Sequence, residues 1–251
     1  MSSKAQRRTS DARRKRAAEL RAQQARQERR RRRTVVGVVV LVVLALVVGV
    51  GVAVQAGRDS GGGTSAAPSG TTSDGAGFAL GEAGAPVTVE VYEDFLCPAC
   101  RVFEEGSGQT LAELVDDGTI RLVYRPIAFL DRASTDRYST RALNASACVA
   151  DAAGTDGFVS YHERLFAEQP AEGGPGLPDD RLAELAAEAG AGGDDVGRCI
   201  DDLQFRAWAA DVTDTASKAG VNGTPTVLVA GERVEVPTPE NVRAAVERAA
   251  G

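Results

Sequence analysis

Apolar and polar positions alternate in three different ways along this chain. The first 33 residues carry almost no apolar periodicity. Residues 35–54 (VVGVVVLVVLALVVGVGVAV) then run for twenty positions without a charge. At a rise of about 1.5 Å per residue such a run makes a helix of about 30 Å, the thickness of a bilayer's hydrocarbon core. The run is longer than the apolar core of about 7–15 residues in a cleavable signal peptide. It therefore predicts an uncleaved signal anchor at 34–56, although Val54-Gln55-Ala56 would pass as a cleavage site. Residues 57–77 (GRDSGGGTSAAPSGTTSDGAG) lose apolar character and read as a flexible tether without a core. From residue 78 to 251 the pattern is that of a folded domain, long enough for one proper core.

Within that domain, residues 86–92 (PVTVEVY) alternate with period two and predict a strand. A helix is expected over 98–115, with Gly106 and Gly108 as interruptions. Asp117-Gly118 marks a turn, and residues 119–125 (TIRLVYR) predict a second strand, completing a βαβ unit. The period then turns helical, with candidate helices at 138–153, 157–168, 179–189, 194–203 and 205–219. A Pro- and Gly-rich breaker (QPAEGGPGLP) occupies 169–178. Strand character returns at 225–229, Gly231-Glu232 marks a hairpin turn before 233–236, and a last amphipathic helix begins after Thr238. A sheet interrupted by a helical block at about 131–219 is an α/β or α+β arrangement.

Charge sharpens this division. The net charge of −6 over 251 residues is an average of two unlike parts. Residues 1–33 hold 14 basic and 3 acidic residues, a net of +11, and the remainder carries −17. Arg29 to Arg33 abut the apolar run, and only Arg58 closely follows it. Positive charge stays inside, so the tail is expected in the cytoplasm and the folded domain outside it. The tail's attraction to anionic lipid, about 1 kcal/mol per basic residue near the surface, accounts for it without nucleic acid.

Four cysteines fall in the part expected outside the cytoplasm, where disulfides persist. Cys97-Pro98-Ala99-Cys100 follows a strand and opens a helix. At a helix N-terminus Cys97 meets unpaired N–H groups and the positive end of the dipole, which favour its thiolate. Cys100 lies one turn on, within reach of a small disulfide ring, and Pro98 at the first helical position gives up an N–H without a helical partner. The pattern points to thiol–disulfide exchange, with Cys97 as attacking and leaving sulfur and Cys100 as resolving sulfur. A zinc site needs four ligands, and His162, the only histidine, offers no second pair, so no metal and no cofactor are expected. Cys148 and Cys199 fall on separate predicted helices and are expected to form a structural disulfide. Closing its loop of about 52 residues contributes roughly 4 kcal/mol in the chain-entropy picture. Two buried free cysteines are the other reading. His162 and the single Trp208 read as packing residues.

Gly223-Thr224-Pro225-Thr226 precedes the 225–229 strand. The order strand, C-P-A-C at a helix start, helical insertion, G-T-P-T before a hairpin, and last helix resembles the DsbA-like branch of the thioredoxin fold. Three stretches carry the similarity: Glu93-Asp94-Phe95-Leu96-Cys97-Pro98, Tyr161-His162-Glu163-Arg164-Leu165-Phe166, and Val221-Asn222-Gly223-Thr224-Pro225-Thr226. The resemblance implies an α/β thioredoxin fold with a helical insertion, preceded here by a single N-terminal transmembrane helix. It also implies a cis Thr224–Pro225 peptide facing the cysteine pair, with the Thr224 backbone pairing with an extended substrate strand. Exported proteins with free thiols or disulfides would be the clients, and a quinone-linked membrane oxidase the recharging partner. Two departures stand out. Many relatives carry a buried carboxylate six residues before the first Cys, where this chain has Val91. The Pro-Ala dipeptide also lacks the His of many strong oxidants, so a potential less oxidising than that of the Pro-His type is expected. A reductase or isomerase, or a redox-inert peptide-binding module, are the other readings.

Overall fold

The computed structural model describes residues 66–251. The basic tail at 1–33, the anchor at 34–56 and the tether as far as residue 65 lie outside the described residues. Among the described residues no helix is long and apolar enough to cross a membrane.

The domain is built on a five-stranded sheet: β1 (Phe78–Leu80), β2 (Val87–Glu93), β3 (Ile120–Pro126), β4 (Thr226–Val229) and β5 (Glu232–Arg233), in spatial order β1-β3-β2-β4-β5. Central β2 runs parallel to β3 and antiparallel to β4, with Val89 opposite Leu122 and Val229. Such a strand must bury its apolar face, and Val87, Val89 and Val91 are each 1% exposed or less. Helix α1 (Pro98–Asp116) makes the crossover from β2 to β3. It runs unbroken through Gly106 and Gly108, because Phe103, Leu111 and Leu114 anchor it on both sides of the glycines.

The helical insertion follows a short 3-10 turn (Asp131–Ala133) and comprises α2 (Tyr138–Ala167), α3 (Asp179–Glu188), α4 (Asp194–Asp201) and α5 (Arg206–Lys218). Helix α2 is two helices end to end, broken at Gly154 (φ 69°, ψ −166°), close to the gap expected between 153 and 157. Phe158 of its second half stacks on Phe78 of β1 at 4.0 Å between centroids, tying insertion to sheet. Helix α6 (Pro239–Ala250) begins at the Thr238 cap, buries Val242 and Val246, and packs on β2, β4 and α1.

Three details differ from the sequence pattern. Strand β1 was not expected, since three residues between glycines show no periodicity; its pairing with β3 defines it. The hairpin turn is Ala230-Gly231, both at positive φ, one residue earlier than expected, with Val229 opposite Glu232. Residues 66–77, read as tether, are fastened to the domain. Ser69 N donates to Asp151 Oδ1 at 2.9 Å, Trp208 Nε1 donates to Gly75 O at 2.7 Å, and Arg125 pairs with Asp74 at 2.9 Å. Their composition carries no core of its own; partners far along the chain supply the order.

Candidate active site

The end of β2 and the start of α1 place the two cysteines. Cys97 is the N-cap of α1 (φ −73°, ψ 115°), and its carbonyl accepts from Cys100 N at 3.0 Å and Arg101 N at 3.3 Å. The chain before it is pinned by Asp94, which is fully buried. Its carboxylate accepts from Leu96 N at 2.9 Å, Leu130 N at 2.9 Å and Ser139 Oγ at 2.7 Å. Burial raises the Asp94 carboxyl to about 6 against the pull of those hydrogen bonds. Pro98 and Ala99 face solvent, whereas Cys97 is 6% exposed and Cys100 is fully buried.

Both cysteines carry free thiols. The loop before β4 meets them: the Thr224–Pro225 peptide is cis, and Cys97 Sγ donates to Thr224 O at 3.4 Å. The structure thus brings Cys97, Cys100, Thr224 and Pro225 together across 127 residues of sequence. The Cys100 thiol, then Thr224 and the Cys100 and Ala99 N–H groups, hydrogen-bond the Cys97 sulfur. Against the opposing effect of burial they pull its pKa down to about 5. Cys100 is pushed strongly the other way, by burial first, then by its bond to Cys97 and the charge of Glu93. One sulfur is a stable thiolate and its neighbour holds its proton, the asymmetry that exchange chemistry needs.

Beneath Cys100 lies a group that the sequence reading left unassigned. Strand alternation puts Val87, Val89, Val91 and Glu93 on one face, so Glu93 is the next inward position after Val91. Glu90 lies on the other face and pairs with Arg125. Glu93 is fully buried and contacts His162 Nε2 of α2; Glu104 of α1 completes the cluster and accepts from Tyr124 Oη at 3.4 Å. Burial, reinforced by the charges of Cys97 and Asp94, raises Glu93 well above the usual carboxylate range. Burial and Glu93 raise Glu104 to about 8, and burial lowers His162. His162 is packed as expected, between Tyr124 at 4.3 Å, Phe166 at 5.0 Å and Phe158 at 5.7 Å, but it also has this polar partner. Tyr124, Glu104 and His162 line a cleft of about 470 Å³ between α1 and α2, which neither Cys97 nor Thr224 lines. The Glu93, Glu104 and His162 ligand atoms lie within 4.8 Å of one another, a spacing that would also admit a small cation. The inward alternation of β2 was the signal that could have found Glu93. Nothing local pointed to Glu104.

Away from the site, a disulfide joins Cys148 of α2 to Cys199 of α4, with Cα atoms 5.9 Å apart. Trp208 is 2% exposed and packs edge-on to Phe78 at 6.1 Å.

Comparison with known proteins agrees with this geometry. A family model described as "Thioredoxin" matches residues 73–248. Oxidised DsbA of Mycobacterium tuberculosis is 37% identical, with a TM-score of 0.60, over 70% of this chain and 93% of that one. The reduced disulfide bond oxidoreductase DsbG of the same organism is 36% identical, with a TM-score of 0.59, over 77% and 92%. The serine/threonine-protein kinase PknE of M. tuberculosis is 32% identical over 164 residues, 60% of this chain and 28% of that protein. The chain thus spans little more than a quarter of that curated relative's length. With its cysteine pair, its cis-proline loop and a family match over most of its length, the chain belongs to the thioredoxin family, as a DsbA-like member.

Proposed function

We propose that this protein is a membrane-anchored thiol–disulfide oxidoreductase that introduces disulfides into exported proteins through Cys97 and Cys100. The observation that carries the reading is the paired asymmetry of the two sulfurs: Cys97 held as thiolate near the Thr224 carbonyl, Cys100 protonated behind it. In the oxidised protein a client thiolate attacks Cys97 Sγ. The Cys97–Cys100 bond breaks, and Cys100 leaves with the electron pair and takes up a proton. Glu93, protonated at neutral pH by its burial, is the group placed to supply it. The client's second thiolate then attacks its own sulfur in the mixed disulfide and expels Cys97, whose low pKa makes it a good leaving group. The client loses two electrons and the Cys97–Cys100 pair gains them. A quinone-linked membrane oxidase would remove them again. Thr224 and Pro225 flank the exposed side of Cys97 and would hold the client as an extended strand, while Cys148–Cys199 braces the insertion.

The twenty-residue apolar run and the basic residues before it support an anchor with the catalytic domain outside the cytoplasm. In spheroplasts, added protease should digest the domain while the full chain stays with the membrane fraction. For the chemistry, Cys100→Ala should trap a Cys97-linked client, visible as a reducible band. Failure of any client to be trapped, with Cys97 still reactive to alkylating agents, contradicts the exchange reading and favours a peptide-binding module.

A further inference from the structure

The Pro- and Gly-rich stretch 169–178 reads as a connector in sequence, yet its first residue reaches the reacting centre. Gln169 Nε2 donates to Phe95 O at 3.0 Å and to Cys97 O at 3.0 Å. A carboxamide has two N–H donors, so one side chain serves the carbonyls on either side of Leu96. The second of these is the carbonyl from which α1 starts, since it also accepts from Cys100 N and Arg101 N. Gln169 therefore fixes the peptide on which the Cys97 sulfur is aimed at the helix N–H groups.

A hydrogen bond from a loose loop would position nothing, but this loop is held along its length. Gly173 N donates to Ala133 O at 2.7 Å, and Thr135 N donates to Gly174 O at 2.9 Å. Arg141, 7% exposed, donates to Leu177 O at 2.8 Å, Pro175 O at 2.7 Å and Asp179 Oδ1 at 2.7 Å. Gly176 sits at φ +79°, where a Cβ would come within 2.3 Å of the Tyr138 ring. We propose that Gln169 is a positioning residue for the Cys97 nucleophile, and that residues 169–178 are a rigid brace through which the helical insertion sets the geometry of the exchange site. This deepens the exchange reading and rests on it.

The test uses the full chain in detergent. Gln169→Ala removes both donors; Gln169→Glu keeps the size but presents acceptors to two carbonyls; Gln169→Asn is one methylene too short to reach both, and serves if the others fail to fold. The readouts are the pH dependence of Cys97 alkylation, the equilibrium with glutathione, and urea unfolding. The titratable groups facing Cys97, namely Cys100 on α1 with Glu93 and Asp94 at the end of β2, are the same in every variant. Losing one or two hydrogen bonds, each a factor of about 2–10, should cut the thiolate fraction below neutral pH by about three- to tenfold in Gln169→Ala. Gln169→Glu should cut it further, with the glutathione equilibrium moving toward the oxidised form in step. An alkylation midpoint equal to wild type in folded variants overturns the proposal. So does a lowered unfolding midpoint with unchanged alkylation, which would make Gln169 plain scaffolding. If wild type does not equilibrate with glutathione while its alkylation midpoint still shifts on substitution, the exchange reading fails and the positioning role stands.

Discussion

If Cys97 is a thiolate near neutral pH, the reduced protein should gain stability over the oxidised one as the pH rises. The folded value, about 5, lies below the ordinary value of 9.0. The stabilisation is therefore fully developed above about pH 9 and lost as the pH falls through about 5. Between these limits it grows by about 1.4 kcal/mol per pH unit. At pH 7 the full shift amounts to about 2.7 kcal/mol, and screening at a sulfur that faces the open groove brings this to about 2 kcal/mol. The Cys100 thiol is the first cause of the shift, so the cysteine pair must stay intact in the assay. Urea unfolding of the reduced and oxidised forms at a series of pH values gives the difference directly. Subtraction removes groups that titrate alike in both forms, including the surface carboxylates. A difference that stays flat between about pH 5 and pH 9, or an alkylation midpoint near that of a free cysteine, refutes the electrostatic account of the site.

Three further outcomes follow from particular contacts. Replacing Cys148 and Cys199 by Ala opens a loop with a sequence separation of 51 and should cost about 4 kcal/mol in urea unfolding, with Cys97 reactivity retained. Glu93→Gln removes the acid behind Cys100; stopped-flow measurement of mixed-disulfide formation should show at least about a tenfold slowing and a flattened pH profile, and an unchanged profile would exclude Glu93 from proton transfer. Gly176→Ala forces a side chain into left-handed backbone against the Tyr138 ring, and should lower stability by about 2–4 kcal/mol in the same unfolding assay.

What could be read from the sequence was what is local. Cys97 and Cys100 share one helical turn, and the strand before them alternates cleanly, so the nucleophile and its helix were legible from spacing alone. Thr224 and Pro225 were placed opposite them only through the resemblance, because no local rule joins residues 127 positions apart. Glu93 was half legible: period two puts it on the inward face of β2, but its partners Glu104 and His162 come from two helices whose packing no pattern announces. Gln169 was hidden for the opposite reason. The composition of 169–178 signals a break in helix, which is correct, while the order of that loop comes from Arg141 and Ala133 elsewhere. The same limit explains residues 66–77, which look like tether until Trp208, Asp151 and Arg125 are brought against them.

Direction of electron flow is the central claim, and one measurement reaches it directly. The chain, oxidised at Cys97 and Cys100, is mixed with a reduced, unfolded client, and the reduced chain is mixed separately with insulin. The account predicts rapid oxidation of the client thiols, slow insulin reduction, and a reduced form more stable than the oxidised one. Its potential should be less oxidising than that of enzymes with a Pro-His dipeptide. Fast insulin reduction by a chain whose oxidised form is the more stable, with little client oxidation, would contradict it and make the protein a reductase.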